Sequence, residues 1–175
     1  MKNICSLFIA TFFLLSCSGK QNSSEEINTE TSGIKKQAIE LSVEYIKTQF
    51  KDSTKTTSGG GVIWINDAKK MVEIDPARIY LGAVDADSTE DAIVTITSFF
   101  GKEPGIPEHL ILLTEQGKLV LAKAIEMDME ILSLKDRILT GKIHTKPRTS
   151  PLYNCPECVE IVKYKFSNND LVKME

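Results

Sequence analysis

From Gly33 to Phe50 apolar side chains recur at helical spacing, with Ile34, Ala38, Leu41 and Tyr45 in one row and Ile39, Val43, Ile46 and Phe50 widening it. An α-helix turns once in 3.6 residues, so this spacing gathers them on one broad face and predicts a single amphipathic helix packed by that face. Its polar side sets Lys35, Lys36 and Lys47 against Glu40 and Glu44. A helix lying on a membrane would carry a more uniformly basic polar face. Lys51 to Gly61 is poor in apolar residues and ends in three glycines, which predicts a flexible connection. It lacks the spaced glycines and the Lys-Ser or Lys-Thr ending of a phosphate-cradling loop. Val62 to Ile65 reads as a short strand, and residues 66–77 are assigned to no element.

Beyond Arg78 short runs rich in Ile, Val, Leu and Tyr alternate with turn residues. They predict strands over 78–84, 91–99, 109–114, 118–126, 129–134, 137–144, 159–166 and 171–174. Glu115-Gln116-Gly117, Lys135-Asp136 and Ser167-Asn168-Asn169-Asp170 supply hairpin turns. Strands joined so tightly cannot be parallel neighbours. The expected fold is α+β: an N-terminal amphipathic helix packed on a curved or partly closed antiparallel β-meander of about seven to nine short strands.

The start of the chain follows a different pattern. Lys2 precedes a run from Ile4 to Leu15 that is almost wholly apolar, and polar Ser18-Gly19-Lys20-Gln21-Asn22 ends it well short of the ~20 residues a membrane span needs. Leu14-Leu15-Ser16-Cys17 resembles the lipobox of bacterial lipoproteins. The resemblance implies a lipoprotein signal peptide over residues 1–16, cleavage before Cys17 and lipid on its thiol. With Ser18 rather than Asp after the cysteine, it also implies sorting to the outer membrane of a Gram-negative cell envelope. An ordinary secretory peptide with an incidental Cys17 is the competing reading. Each buried methylene of such an anchor contributes about 0.8 kcal/mol, so a diacylglyceryl group and an acyl chain on the new amino terminus, three chains together, hold without protein contacts. Residues 18–32 carry one strong apolar residue, Ile27, and with Cys17 read as a lipidated, disordered tether, leaving 33–175 as a single domain.

Charge narrows the partners. The chain has 21 basic and 24 acidic side chains, a net charge of −3, and loss of the leader removes one more basic residue, Lys2. Nothing here is built to neutralise a nucleic-acid backbone. The membrane, through the lipid, and another envelope protein or polymer are the expected partners.

Two short stretches could carry chemistry. Gly82 to Val94, GAVDADSTEDAIV, resembles the Gly-Asp-Leu-Asp-Gly-Asp-Gly-Thr-Glu-Asp-Ala-Val-Val hairpins of bacterial exported domains, some of which bind calcium. The resemblance puts Asp85, Asp87 and Asp91 on three of its acidic places, but Ala83 replaces the leading Asp, and Ala86 and Ser88 replace both glycines. Calcium takes six to eight oxygens, so these losses favour a turn whose Asp side chains bond its own backbone N–H groups. No other cofactor is implied. Cys155-Pro156-Glu157-Cys158 precedes Val159 to Tyr164, which alternates like a strand, so the helix N-terminus that activates a thioredoxin-type thiol is missing. Val159 stands where haem attachment needs His, and no second Cys or His pair completes a zinc site. In an oxidising compartment the pair is expected to form a disulfide pinning the loop before the penultimate strand. The segment from Pro151 to Val172 is also similar to the Cys-Pro loop and aromatic strand of some uncharacterised periplasmic lipoprotein domains, which implies no activity.

For function, no Gly-x-Ser-x-Gly occurs, and acids such as Asp128, Glu130 and Asp136 alternate with apolar residues as solvent-facing strand positions do. The favoured expectation is a lipid-anchored, non-catalytic interaction module of the envelope, of immunity or inhibitor type in one variant, with Phe99, Phe100 and Tyr153 as partner contacts. The alternative is a calcium- or redox-dependent envelope enzyme using Asp85, Asp87 and Asp91 or the Cys pair.

Overall fold

A computed structural model of the chain describes residues 23–50, 53–67 and 70–175, with side chains described from Gly33 onward. The lipobox, Cys17 and the first part of the tether lie outside the described residues. Helix α1 spans Ser23–Gln49, beginning ten residues upstream of the Gly33 start that the apolar stripe predicts. The described end of the expected tether is therefore helical. Its composition cannot pack, but a helix nucleated downstream extends at little cost per residue.

Eleven strands follow among the described residues: β1 Thr54–Thr57, β2 Ile63–Asn66, β3 Met71–Gly82, β4 Asp91–Phe100, β5 Glu103–Pro104, β6 Glu108–Glu115, β7 Lys118–Glu126, β8 Met129–Lys135, β9 Ile138–His144, β10 Val159–Ser167 and β11 Asp170–Lys173. The predicted hairpin turns all form. Gln116-Gly117, Asp136-Arg137 and Asn168-Asn169 each hold two successive residues at positive φ, between 52° and 78°. That geometry matches the right-handed twist of the strands it joins.

Two stretches differ from expectation. Within the supposedly flexible Lys51–Gly61 segment, β1 pairs antiparallel with β2, Thr57 opposite Ile63. Three of its four residues are β-branched threonines, and Gly60 and Gly61 at φ 73° and 79° close the tight turn. The first half of β3 occupies the unassigned stretch, and its register with β4 shifts between Ile74 and Ile79. Pro76 sits inside that bulge, where no ladder N–H is required of it.

The sheet is also divided. β1-β2-β3-β4-β6-β7 form one antiparallel sheet, with β5 attached to β4, and β11-β10-β9-β8 form a second. Both are open, so a helix-backed antiparallel meander is present but does not curl into a partly closed barrel. The division falls at Met127-Asp128. There the Met127 N–H donates to the Pro107 carbonyl at 3.0 Å, and β8 leaves β7 to pair with β9.

The result is three layers, with the large sheet in the middle. One face of that sheet packs Ile65, Ile74, Val94, Leu110 and Leu112 against Ala38, Val43, Ile46 and Phe50 of α1. The other packs Ile93 and Ile111 against Met129, Ile131, Leu139 and Val162 of the small sheet. Gly141 permits the close approach of Met129, whose side chain would collide with any added Cβ.

Candidate functional site

The turn between β3 and β4 brings Asp85, Asp87 and Asp91 together, with one carboxylate oxygen from each within 4.8 Å of the others. Asp91 is fully buried. Its two oxygens accept the backbone N–H of Val84 and of Thr114, each at 2.8 Å. Asp85 accepts the N–H of Asp87 at 2.9 Å, and Asp87 accepts both the N–H and the hydroxyl of Thr89 at 2.8 and 2.6 Å. The Asp side chains thus bond the turn's own backbone, as the sequence suggests, and they also converge. Burial pushes the Asp91 carboxyl up from its ordinary range, whereas the Thr89 hydrogen bonds hold Asp87 down.

A second polar constellation lies where the two sheets diverge. A cleft of about 480 Å³ opens there, lined among others by Asp75, Arg78, Tyr80, Asp128, His144 and Tyr153. The loop 145–158 between β9 and β10 roofs one side. Its Arg148 donates Nε and Nη2 to the two Asp128 oxygens at 2.9 and 2.8 Å, a paired geometry that suits the planar guanidinium. Arg148 Nη1 donates to the carbonyls of Pro104 and Gly105 at 2.9 and 3.0 Å. The Tyr153 hydroxyl donates to Asp128 at 2.8 Å. His144 stacks on the Tyr153 ring at 4.0 Å and donates Nδ1–H to the Tyr153 carbonyl at 2.7 Å. The Arg148 hydrogen bonds hold the Asp128 carboxyl below its usual range, and burial, then Asp128 itself, pushes the Tyr153 hydroxyl up.

The other histidine plays a different part. His109 is fully buried beneath the cleft. Its Nε2–H donates to the Met127 carbonyl at 3.2 Å, while Nδ1 accepts the Thr95 hydroxyl at 3.0 Å. Burial pushes its pKa down to about 4, so it is neutral at physiological pH.

Cys155 and Cys158 form the expected disulfide. The sequence-predicted contact residues separate. Phe99 is half-buried against Trp64, ring centroids 5.8 Å apart, whereas Phe100 is 61% exposed. Tyr153 faces the cleft network, yet its loop and the loop carrying Phe100 are joined, because Arg148 reaches the backbone of Pro104 and Gly105. Sequence reasoning missed Arg148, Asp128 and His144. Asp128 is a half-buried anchor instead of a solvent-facing strand position, and no local pattern links residues drawn from three separate segments. Compared with protein-family models, curated proteins and solved structures, the chain gives no significant match.

Proposed function

We propose that the chain is a lipid-anchored, calcium-dependent protein of the bacterial cell envelope. The observation that supports this reading is the convergence of Asp85, Asp87 and Asp91 oxygens within 4.8 Å on one turn. Three carboxylates that close repel one another, and a hard divalent cation is the ligand type that relieves this while taking further oxygens from the turn backbone. Extracellular calcium modules bind at roughly 0.1–1 mM. In 10 mM calcium such a site adds about 1.4–2.7 kcal/mol of stability, a rise in Tm on the order of 3–10 °C for a domain of this size. The test is a melting curve of the full-length chain in 10 mM calcium and in chelator, repeated for Asp87→Ala. The expected result is a shift that the variant lacks; superimposable curves overturn the calcium reading. The anchor is tested separately by mass spectrometry of the mature N-terminus, which should begin at an acylated Cys17.

A second reading, a non-catalytic interaction module of immunity or inhibitor type, draws on a different observation. Phe100 and Ile106, 61% and 43% exposed, stand on the hairpin that Arg148 ties to the cleft loop, and clustered exposed apolar groups mark interfaces. A photo-crosslinking residue at position 100 should give one discrete adduct in intact cells. A ladder of weak adducts, or none, rejects that surface.

A further inference from the structure

The Cys155–Cys158 disulfide contributes little to either hydrophobic core. It closes a turn of four residues, for which chain-entropy reasoning gives only about 2 kcal/mol, and neither cysteine belongs to the two buried clusters. What it does fix is the last turn of the strap 145–158. At the base of the strap the Thr145 N–H donates to the Cys158 carbonyl at 2.9 Å. Between those ends the chain folds in successive tight turns, with Ser150 N–H on Pro147, Tyr153 N–H on Ser150, Cys155 N–H on Leu152 and Cys158 N–H on Cys155. The last turn is the one the disulfide locks. Every contact of the strap with the cleft, through Arg148 and Tyr153, comes from upstream of Cys155, so the locked turn sets how those turns meet β10. Pro156 and Glu157 at its tip are exposed and the cysteines themselves partly so, which leaves the bond open to an attacking thiolate.

We propose that this disulfide is a redox-sensitive latch that keeps the strap closed over the cleft between the sheets. A protein dithiol of the envelope opens it in two steps. One thiolate attacks a Cys sulfur, breaking the S–S bond and forming a mixed disulfide. The second thiol then displaces it, so that the dithiol leaves oxidised and Cys155 and Cys158 gain two electrons and two protons. Opening frees Tyr153 and Arg148 from Asp128 and unroofs the cleft at His144. The proposal is independent of calcium at the β3–β4 turn.

Two histidines in the whole chain make the test clean. His144 stacks on the strap, and His109 lies buried in the large sheet. Ring resonances of both are followed in the full-length chain, oxidised and after dithiothreitol, together with amide exchange of 145–158. The expected result is a shift of the His144 signals and at least tenfold faster exchange in the strap, with His109 and the exchange of β4 and β6 unchanged. Cys155→Ser with Cys158→Ser should reproduce the reduced spectrum without reductant, and Arg148→Ala should move His144 while the disulfide stays intact. Identical His144 signals and strap exchange in both redox states overturn the latch. So does simultaneous loss of protection across β4 and the strap, which would make the bond a staple of the whole fold.

Discussion

Strand β4 shows two faces of opposite character. Toward α1 it offers Ala92, Val94 and Ile96, and its neighbour β6 adds Leu110 and Leu112, so that the centre of this layer is apolar, with hydrogen bonds from Tyr45 to Glu108 and from Leu119 to Gln37 joining helix and sheet beside it. Toward the small sheet the alternate residues are Asp91, Ile93, Thr95 and Thr97, and β6 contributes His109; all are buried. Each polar group on that side is matched to a partner, and among the described residues no buried side-chain nitrogen or oxygen lacks one. A polar interior is stable only when fully bonded. One face is therefore held by its apolar centre, and the other adds to its own cluster around Ile93 and Ile111 a set of bonded polar groups that hold the chain to a specific geometry around the acidic turn and the cleft.

The largest effect expected follows from breaking the apolar face. Leu110 is fully buried between sheet and helix, and Leu→Ala at such sites costs the transfer energy of the lost methylenes plus a cavity, about 3 kcal/mol. The urea midpoint should fall accordingly with the slope unchanged. Truncating Leu132, 45% exposed on β8, should leave the midpoint within about 0.5 kcal/mol of the parent.

The polar face should reveal itself through pH. The unfolded chain binds a proton at His109 near pH 6.5, whereas in the fold burial delays this to about 4. A depressed histidine pKa means that stability is fully present above pH 6.5 and is lost as pH falls through 4, by about 3 kcal/mol across the window. Asp91 is shifted upward by burial, so acidification favours the folded form there and offsets part of the loss. His109→Gln, which cannot charge, should flatten the slope between pH 6.5 and 4 whatever its effect at pH 7. An unchanged slope would assign the acid sensitivity elsewhere.

Removing the Asp91 carboxylate sharpens the comparison one step further. Asp91→Ala leaves the N–H groups of Val84 and Thr114 without their acceptor. The cost of such orphaned donors is about 2 kcal/mol, and Asp91→Asn, which keeps one acceptor oxygen, should lose roughly half as much. Chemical denaturation of both variants gives the two numbers directly.

The two faces also differ in how readily they could be read from the sequence. The helix-facing layer was legible because the stripe from Ile34 to Phe50 declares the buried side of the helix, and the unbroken apolar runs Ala92 to Val94 and Leu110 to Leu113 declare strands buried on both faces. The Gln116-Gly117, Asp136-Arg137 and Asn168-Asn169 hairpins were legible because positive φ restricts the residues that can stand there. The helix start was not, since residues 23–32 are helical without packing information. β1 was hidden in a Thr- and Gly-rich stretch whose composition also suits a loop. Splitting of the meander into two sheets depends on which strand β8 pairs with, a choice made by long-range packing that alternation cannot express. For the site, Asp85, Asp87, Asp91, Cys155 and Cys158 announce themselves by short spacing. Arg148, Asp128 and His144 lie up to 20 residues apart and become one network only through the fold.

That network should produce the smallest global effect and the most local one. The Arg148–Asp128 pair is about one-third exposed on both sides, so solvent screening limits its contribution to about 1 kcal/mol or less. Arg148→Ala also gives up the bonds to Pro104 and Gly105, and Asp128→Ala those from Arg148 and Tyr153. A double-mutant cycle isolates the shared part, because only the ion pair is lost once in each single variant and cannot be lost again in the double. The expected coupling is about 0.5–1 kcal/mol in global stability. Amide exchange in 145–158 should quicken in both variants while β4 and β6 stay protected. If instead the coupling approaches the cost of Leu110→Ala, the cleft side is as cohesive as the helix side, and the division of labour between the two faces of β4 fails.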